Sequence, residues 1–274
     1  MDLISFFKVI LITCFVFVPL ERLLAVHPEQ KILRRGWQND LVYLFLNSAL
    51  IKLGLTAIVV ATFLGTRWLV PSSFQDAVAH QPYWLQLVEV LILSDLGFYG
   101  THRMFHAIPG LWKFHAIHHS IEELDWLAGF RVHPVDQILT KGASLLPVVA
   151  LGFSEVVIGI YAVLYQWQSV LIHANVRIGF GPLRWLFASP EFHHWHHSKD
   201  REVRDKNFAG QLSFLDALFG TLHMPQNKFP TKYGLDQPMP ERYIPQLLHP
   251  FRHDGAEPNV PNRSEGDPLS RSAA

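Results

Sequence analysis

The chain has 274 residues, of which 49% are hydrophobic and only 17% charged, and its 23 basic and 23 acidic residues cancel to a formal net charge of zero. With a mean hydropathy of +0.16 this is a membrane composition, and the charge balance removes the electrostatic case for binding nucleic acid. The single cysteine, Cys14, excludes disulfides within the chain, and its place in an apolar run excludes iron–sulfur and zinc-ribbon readings.

Leu3 to Leu24 is an apolar run, broken by Lys8, long enough to span a bilayer. Its start is not strongly basic and no small-x-small cleavage site follows, so a retained anchor is expected rather than a signal peptide. The polar link Glu21 to Asp40 carries Arg22, Lys31, Arg34 and Arg35, which mark a short loop as cytoplasmic. Leu41 to Leu64, interrupted by Lys52, is a second span. Gly65 to Pro82 is expected on the outer side, with Trp68 and Trp84 at the interface. A third apolar helix, Tyr83 to about Tyr99, returns the chain inward, so the histidines that follow are expected on the cytoplasmic face.

Eleven of the 16 histidines lie between His102 and His197, nine of them in three clusters: HRMFH at 102–106, HAIHH at 115–119 and HHWHH at 193–197. His102 and His106 are spaced i, i+4. His115, His118 and His119, and again His193, His196 and His197, follow i, i+3, i+4, which stacks side chains on one helical face. Asp95 and Tyr99 continue the face of His102 and His106 backwards. Asp95 either accepts the ring N–H of a ligand histidine or merely caps the helix or pairs with Arg103.

The break at Pro109-Gly110 separates the first two histidine helices. His133, ahead of Pro134, is a ligand, a hydrogen-bond donor near the metals or a helix-start residue. Ile138 to Ile172 is long for one span and tight for two, which suggests a helical hairpin. It returns His173, with Asn175 beside it, to the face of the clusters, as a ninth ligand or as a boundary histidine at headgroup level. His194 departs from the common spacing. Lys199 to Lys206 is expected to be a solvated turn, Asn207 to Thr221 a short amphipathic helix closing over the site, and the chain beyond Met224 irregular and then disordered.

A lone histidine in an apolar chain is usually structural, and a metal-buffering tract would be contiguous. Repeated imidazoles on apolar helices instead suit iron, zinc, copper or nickel. Eight or nine imidazoles exceed what one ion takes, so two metals in one cleft are expected. The fold expected is an all-α integral membrane helical bundle of four or five spanning or hairpin helices, with a cytosolic-face helical cap carrying the dimetal site. Residues 1–82 form N-terminal membrane helices, 83–225 the catalytic domain and 226–274 an irregular, partly disordered tail.

The order HRMFH, HAIHH, membrane hairpin, HHWHH resembles the fatty acid hydroxylase / sterol desaturase superfamily of integral-membrane di-iron enzymes. Asp95-x3-Tyr99-x2-His102-Arg103-x2-His106 is similar to that family's first box, Arg131-x-His133-Pro134 to its downstream element, and Leu218-Phe219-Gly220-Thr221 to its closing segment. The resemblance implies metal ligands at His102, His106, His115, His118, His119, His173, His193, His196 and His197, with Asp95, Tyr99, His133 and Asn175 in supporting positions and no catalytic residue beyond the ligands. It departs at Arg177, where some members place a second histidine four residues after the equivalent of His173.

What the resemblance implies chemically is a multi-pass membrane enzyme with two iron ions, or zinc as isolated. It would use O2 and external electrons to attack a C–H bond of a fatty acyl, sterol, sphingoid or related lipid. Hydroxylation is expected, with desaturation as the alternative outcome of the same hydrogen abstraction. No cytochrome b5-like segment is present, so a separate donor, cytochrome b5-like or ferredoxin-like, is expected. The cytoplasmic face would be that of a bacterial inner membrane or the endoplasmic reticulum. A membrane zinc hydrolase would require a carboxylate base among the ligands, and none of the clusters holds one. A metal transporter would place its ligands nearer the bilayer midplane.

Overall fold

The structure, a computed structural model, describes residues 3–66 and 68–252, and the end of the expected tail, 253–274, lies outside the described residues. Eleven α-helices occur among the described residues, with no strand beyond one isolated bridge between Ser198 and Tyr233. Helix α1 is Leu3–Leu23; α2 (Trp37–Val42) passes through a π-helical turn, Tyr43–Asn47, into α3 (Ser48–Thr66). Helix α4 (Ser72–Ala79) is short, and α5 (Tyr83–Ala107) is the longest of the chain. Then come α6 (Pro109–His119), α7 (Pro134–Leu151), α8 (Glu155–His173), α9 (Pro190–His196), α10 (Ser213–Leu218) and α11 (Tyr243–Leu248).

Three stretches are long and apolar enough to cross a membrane: Ile4–Leu23, Trp37–Thr66 and Glu155–His173. Only 11% of the first two is buried inside the protein, and apolar side chains left outward over such lengths require a hydrocarbon surround. Helices α5 and α7 are less apolar because each carries polar residues that are buried inside the bundle. Gln86, Ser94 and Asp95 of α5 and Asp136, Thr140 and Ser144 of α7 are all buried. The two helices approach closely at Gly97, where a Cβ would stand 2.4 Å from the Ala143 carbonyl oxygen, the small-residue contact that lets membrane helices pack backbone to backbone.

The stretch expected as a membrane hairpin, 138–172, forms two successive helices, α7 and α8, but each packs chiefly on α5 and, of the two, only α8 is long and apolar enough to cross a membrane. Gly152, at φ 79°, ends α7 in the left-handed conformation, and the Ser154 hydroxyl caps α8 by accepting from the Val157 N–H. Helix α10 is shorter than the amphipathic helix expected over 207–221. The reason is that the backbone N–H groups of 208–212 are taken by the carboxylates of Asp216 and Asp95 instead of by an i−4 carbonyl. Helix α11 interrupts the stretch after Met224 that was expected to be irregular, because Tyr43, Ile117 and Tyr243 form a buried cluster.

Candidate metal centre

Helices α5, α6, α8 and α9 end at one place and bring all nine expected ligands together, each 5% exposed or less. They divide into two groups. His102, His106, His115, His119 and His196 form the first, and His118, His173, His193 and His197 the second; within each, the nearest ring nitrogens lie within 4.8 Å of one another. Helices α6 and α9 each contribute to both groups. His119 and His197 stack at 4.6 Å between ring centroids, so the two groups share a wall.

The tautomers explain what the groups need. The Nδ1–H of His102 donates to the Phe208 carbonyl (2.7 Å), that of His118 to Arg131 (3.1 Å), that of His173 to Ser169 (2.7 Å) and that of His196 to Lys206 (2.8 Å). The His115 ring donates to the Asp136 carboxylate (2.6 Å) and the His106 ring to Asp205 (3.1 Å). With the proton held at Nδ1, Nε2 presents a bare lone pair. These lone pairs converge: His102 Nε2 lies 3.0 Å from His115 Nε2, and His173 Nε2 lies 3.2 Å from His118 Nε2. His106 Nε2 is buried without any partner.

Unprotonated nitrogens at such separations repel one another, and a bound cation removes the conflict. Burial holds His115, His118, His119, His193, His196 and His197 well below the ordinary imidazole pKa. These rings are therefore neutral at pH 7, the form that ligates metal. Five imidazoles exceed the four of a tetrahedral zinc site. Five and four both leave open positions on a six-coordinate ion such as iron, so the residues present fit a pair of irons.

The supporting residues differ from the expectation. Asp95 touches no imidazole. It accepts from the backbone N–H groups of Gly210 (2.9 Å), Gln211 (3.0 Å) and Leu212 (2.7 Å), and so fixes the loop whose Phe208 carbonyl orients His102. The Tyr99 hydroxyl bonds Thr221 (2.9 Å) and accepts from Arg103 (3.3 Å). His133 is the helix-start residue: its Nδ1 accepts from the Val135 N–H and caps α7. Asn175 accepts from the N–H groups of Val26 and His27, tying the link after α1 to the end of α8. His194 bonds Tyr233 and the Ala174 carbonyl, away from both groups.

Asp136 and Asp205 were missed by sequence reasoning. Asp205 sits in the charge run expected to be a solvated turn, and the Lys206 carbonyl of the same run holds His196. Asp136 was legible in principle, as an acidic residue opening an apolar helix three positions after His133. Its 2.6 Å bond to the His115 ring is the shortest of the orienting contacts. Asp136→Asn is expected to weaken metal binding at the first group by roughly tenfold to a hundredfold; a competition titration with a chelator measures this, and an unchanged affinity would show that His115 needs no carboxylate.

Residues 87–221 match the family model described as fatty acid hydroxylase. The chain is 32% identical over 174 residues to an ornithine lipid hydroxylase of Rhizobium tropici, an alignment covering 64% of this chain and 53% of that protein. It is 34% identical over 148 residues to the alkylglycerol monooxygenase of Homo sapiens, covering 53% of this chain and 32% of that protein. It is 25% identical over 139 residues to a very-long-chain aldehyde decarbonylase of Oryza sativa subsp. japonica, covering 50% and 46%. The chain thus spans about half or less of the length of these relatives. No solved structure matches it.

Proposed function

Residues 87–221 place the chain in the fatty acid hydroxylase family, and from that premise we propose that it is a membrane-bound di-iron oxidoreductase that uses dioxygen to hydroxylate a C–H bond of a lipid. The observation that carries this reading is the pair of all-imidazole groups with converging Nε2 atoms, six of whose nine rings have Nδ1 bonded to a carbonyl or carboxylate outside the groups. Iron bound there would supply the dioxygen chemistry needed to remove hydrogen from an unactivated carbon. In balance, one oxygen atom enters the C–H bond and the other leaves as water, consuming two electrons from a separate donor and two protons.

The protein's own part is to orient the rings and exclude water. Phe105 packs on the His115 ring at 5.9 Å between centroids, and Trp112 and Phe208 on that of His106, both at 5.1 Å. No carboxylate belongs to either group among the described residues. Asp136 and Asp205 bond the far nitrogens of their histidines instead of facing the position of an attacking water, which argues against the hydrolase reading. The relatives named for acting on an ornithine lipid and on alkylglycerol support a lipid substrate.

We place the centre on the cytoplasmic side of a bundle of five membrane helices, α1, α2–α3, α5, α7 and α8. The basic link between α1 and α2 packs against the histidine end, with Arg34 on Asp125 at 2.7 Å and Arg131 on Asp40, and short basic loops stay cytoplasmic. The deciding experiment purifies the protein without oxygen, measures iron and zinc, then adds reductant, O2 and a total lipid extract and reads products by mass spectrometry. About two irons per chain and a lipid gaining one oxygen atom are expected. Loss of two hydrogens would make the chain a desaturase. Persistent zinc without oxygen consumption, even after iron reconstitution, would overturn the proposal.

A further inference from the structure

Two side chains gauge how deep the loops around the metal centre reach. Gln168 lies five residues before His173 in the candidate span α8, about 7.5 Å along the helix, and its amide donates to the carbonyls of Ala188 and Gln211, both at 3.1 Å. Asp95 lies seven residues before His102 in α5, about 10 Å along that helix, and takes the N–H groups of 210–212. Residues 186–188 and 210–212 are therefore held on the membrane-ward side of the histidines, level with the last turns of the bundle helices.

Two short elements continue from these anchors. The 3-10 turn Gly181–Trp185 precedes the first anchor, α10 follows the second, and the Ser213 hydroxyl joins them by donating to the Arg184 carbonyl at 2.7 Å. Their outward side chains are apolar: Leu183 is 56% exposed, Trp185 58%, Leu186 42%, Leu218 70% and Phe219 44%. Exposing such a group to water carries a cost that grows with its apolar area. Helix α5 shows an outward apolar stripe at i, i+4, i+8, made of Val88, Ile92 and Leu96, which ends beside Asp95 and marks a lipid-facing side of the bundle. The Arg184 guanidinium lies 5.6 Å over the Trp185 ring.

We propose that the 3-10 turn 181–185 and α10 form a wedge that sits among the acyl chains of the bilayer, beside the first histidine group. Phe219 stacks on Tyr99 at 5.0 Å, and Tyr99 is one helical turn from His102, so the wedge brings lipid to the side of the protein that carries the centre. The inference rests on the membrane reading of the bundle but not on its iron or its chemistry.

The test uses the full chain in lipid nanodiscs, with Cys14→Ser and a single nitroxide-labelled cysteine from Trp185→Cys, Leu218→Cys or, as a control on the polar side, Lys228→Cys. Labels at 185 and 218 are expected to collide with dissolved oxygen more than with a water-soluble nickel chelate, at about 5–10 Å below the headgroups, and the label at 228 the reverse. Nickel-dominated collisions at both wedge positions would overturn the proposal by placing the patch in water. Shielding of both positions from both reagents would overturn it in favour of a protein cover such as a second copy of the chain. Because the readout needs no turnover, a failed di-iron assay leaves it interpretable.

Discussion

His118→Ala and His196→Ala should each abolish turnover while leaving the protein in the membrane. His196 belongs to the group of five and His118 to the group of four, so the two variants are expected to lose metal differently. Removing His196 leaves four rings in its group, and removing His118 leaves three. Since loss of a mere orienting partner costs roughly tenfold to a hundredfold in affinity, loss of a ligand from the smaller group should cost more, and His118→Ala should retain about one metal per chain. Metal analysis of membranes-extracted protein beside the lipid assay reads both effects. Full activity in either variant would remove that residue from the ligand set.

Asp40→Ala should be the most destabilising change outside the histidines. Asp40 is fully buried and bonds two guanidinium groups, those of Arg34 and Arg131, which are 2% and 7% exposed. Arg34 also holds Asp125 at 2.7 Å. Deleting one partner of a buried ion pair strands the other charge in a low dielectric and costs about 3–5 kcal/mol. Here two cations share the carboxylate, and Arg131 is left with a single weak bond to the Gly36 carbonyl at 3.3 Å. The damage should also reach the metals, because the Arg131 carbonyl receives the His118 ring proton. Thermal unfolding in detergent should show a large drop in midpoint, and iron at the second group should fall before iron at the first. A midpoint equal to that of the unchanged protein would show that the arginines find other partners.

The contrast between these two residues shows what a linear reading reaches. The histidines were legible because a helix repeats every 3.6 residues, so spacings of three and four announce a shared face whatever the rest of the fold does. Asp40 carries no such mark: it is one acidic residue in a link that reads as a cytoplasmic loop, and its partners lie 6 and 91 positions away. Asp95 shows the converse. Its position on the face of His102 and His106 was correctly read as internal, but a face does not say which neighbour fills it. The neighbour is the backbone of 210–212, more than a hundred residues later.

Composition and periodicity alone determined that the chain is helical, that apolar helices of membrane length precede and separate the histidine clusters, and that more imidazoles are present than one ion can use. They did so because hydropathy and helical repeat are local properties, set within a few turns. Only the tertiary structure decided how the nine histidines divide. Within each of the second and third clusters, residues i+3 and i+4 lie on opposite sides of residue i. His118 therefore leans to one group and His119 to the other, and likewise His196 and His197. Which side meets which helix end depends on how α5, α6, α8 and α9 converge, and that is fixed by contacts between residues far apart in the chain: Asp136 on His115, Asp205 on His106, and the carbonyls of Phe208, Arg131 and Lys206 on their rings.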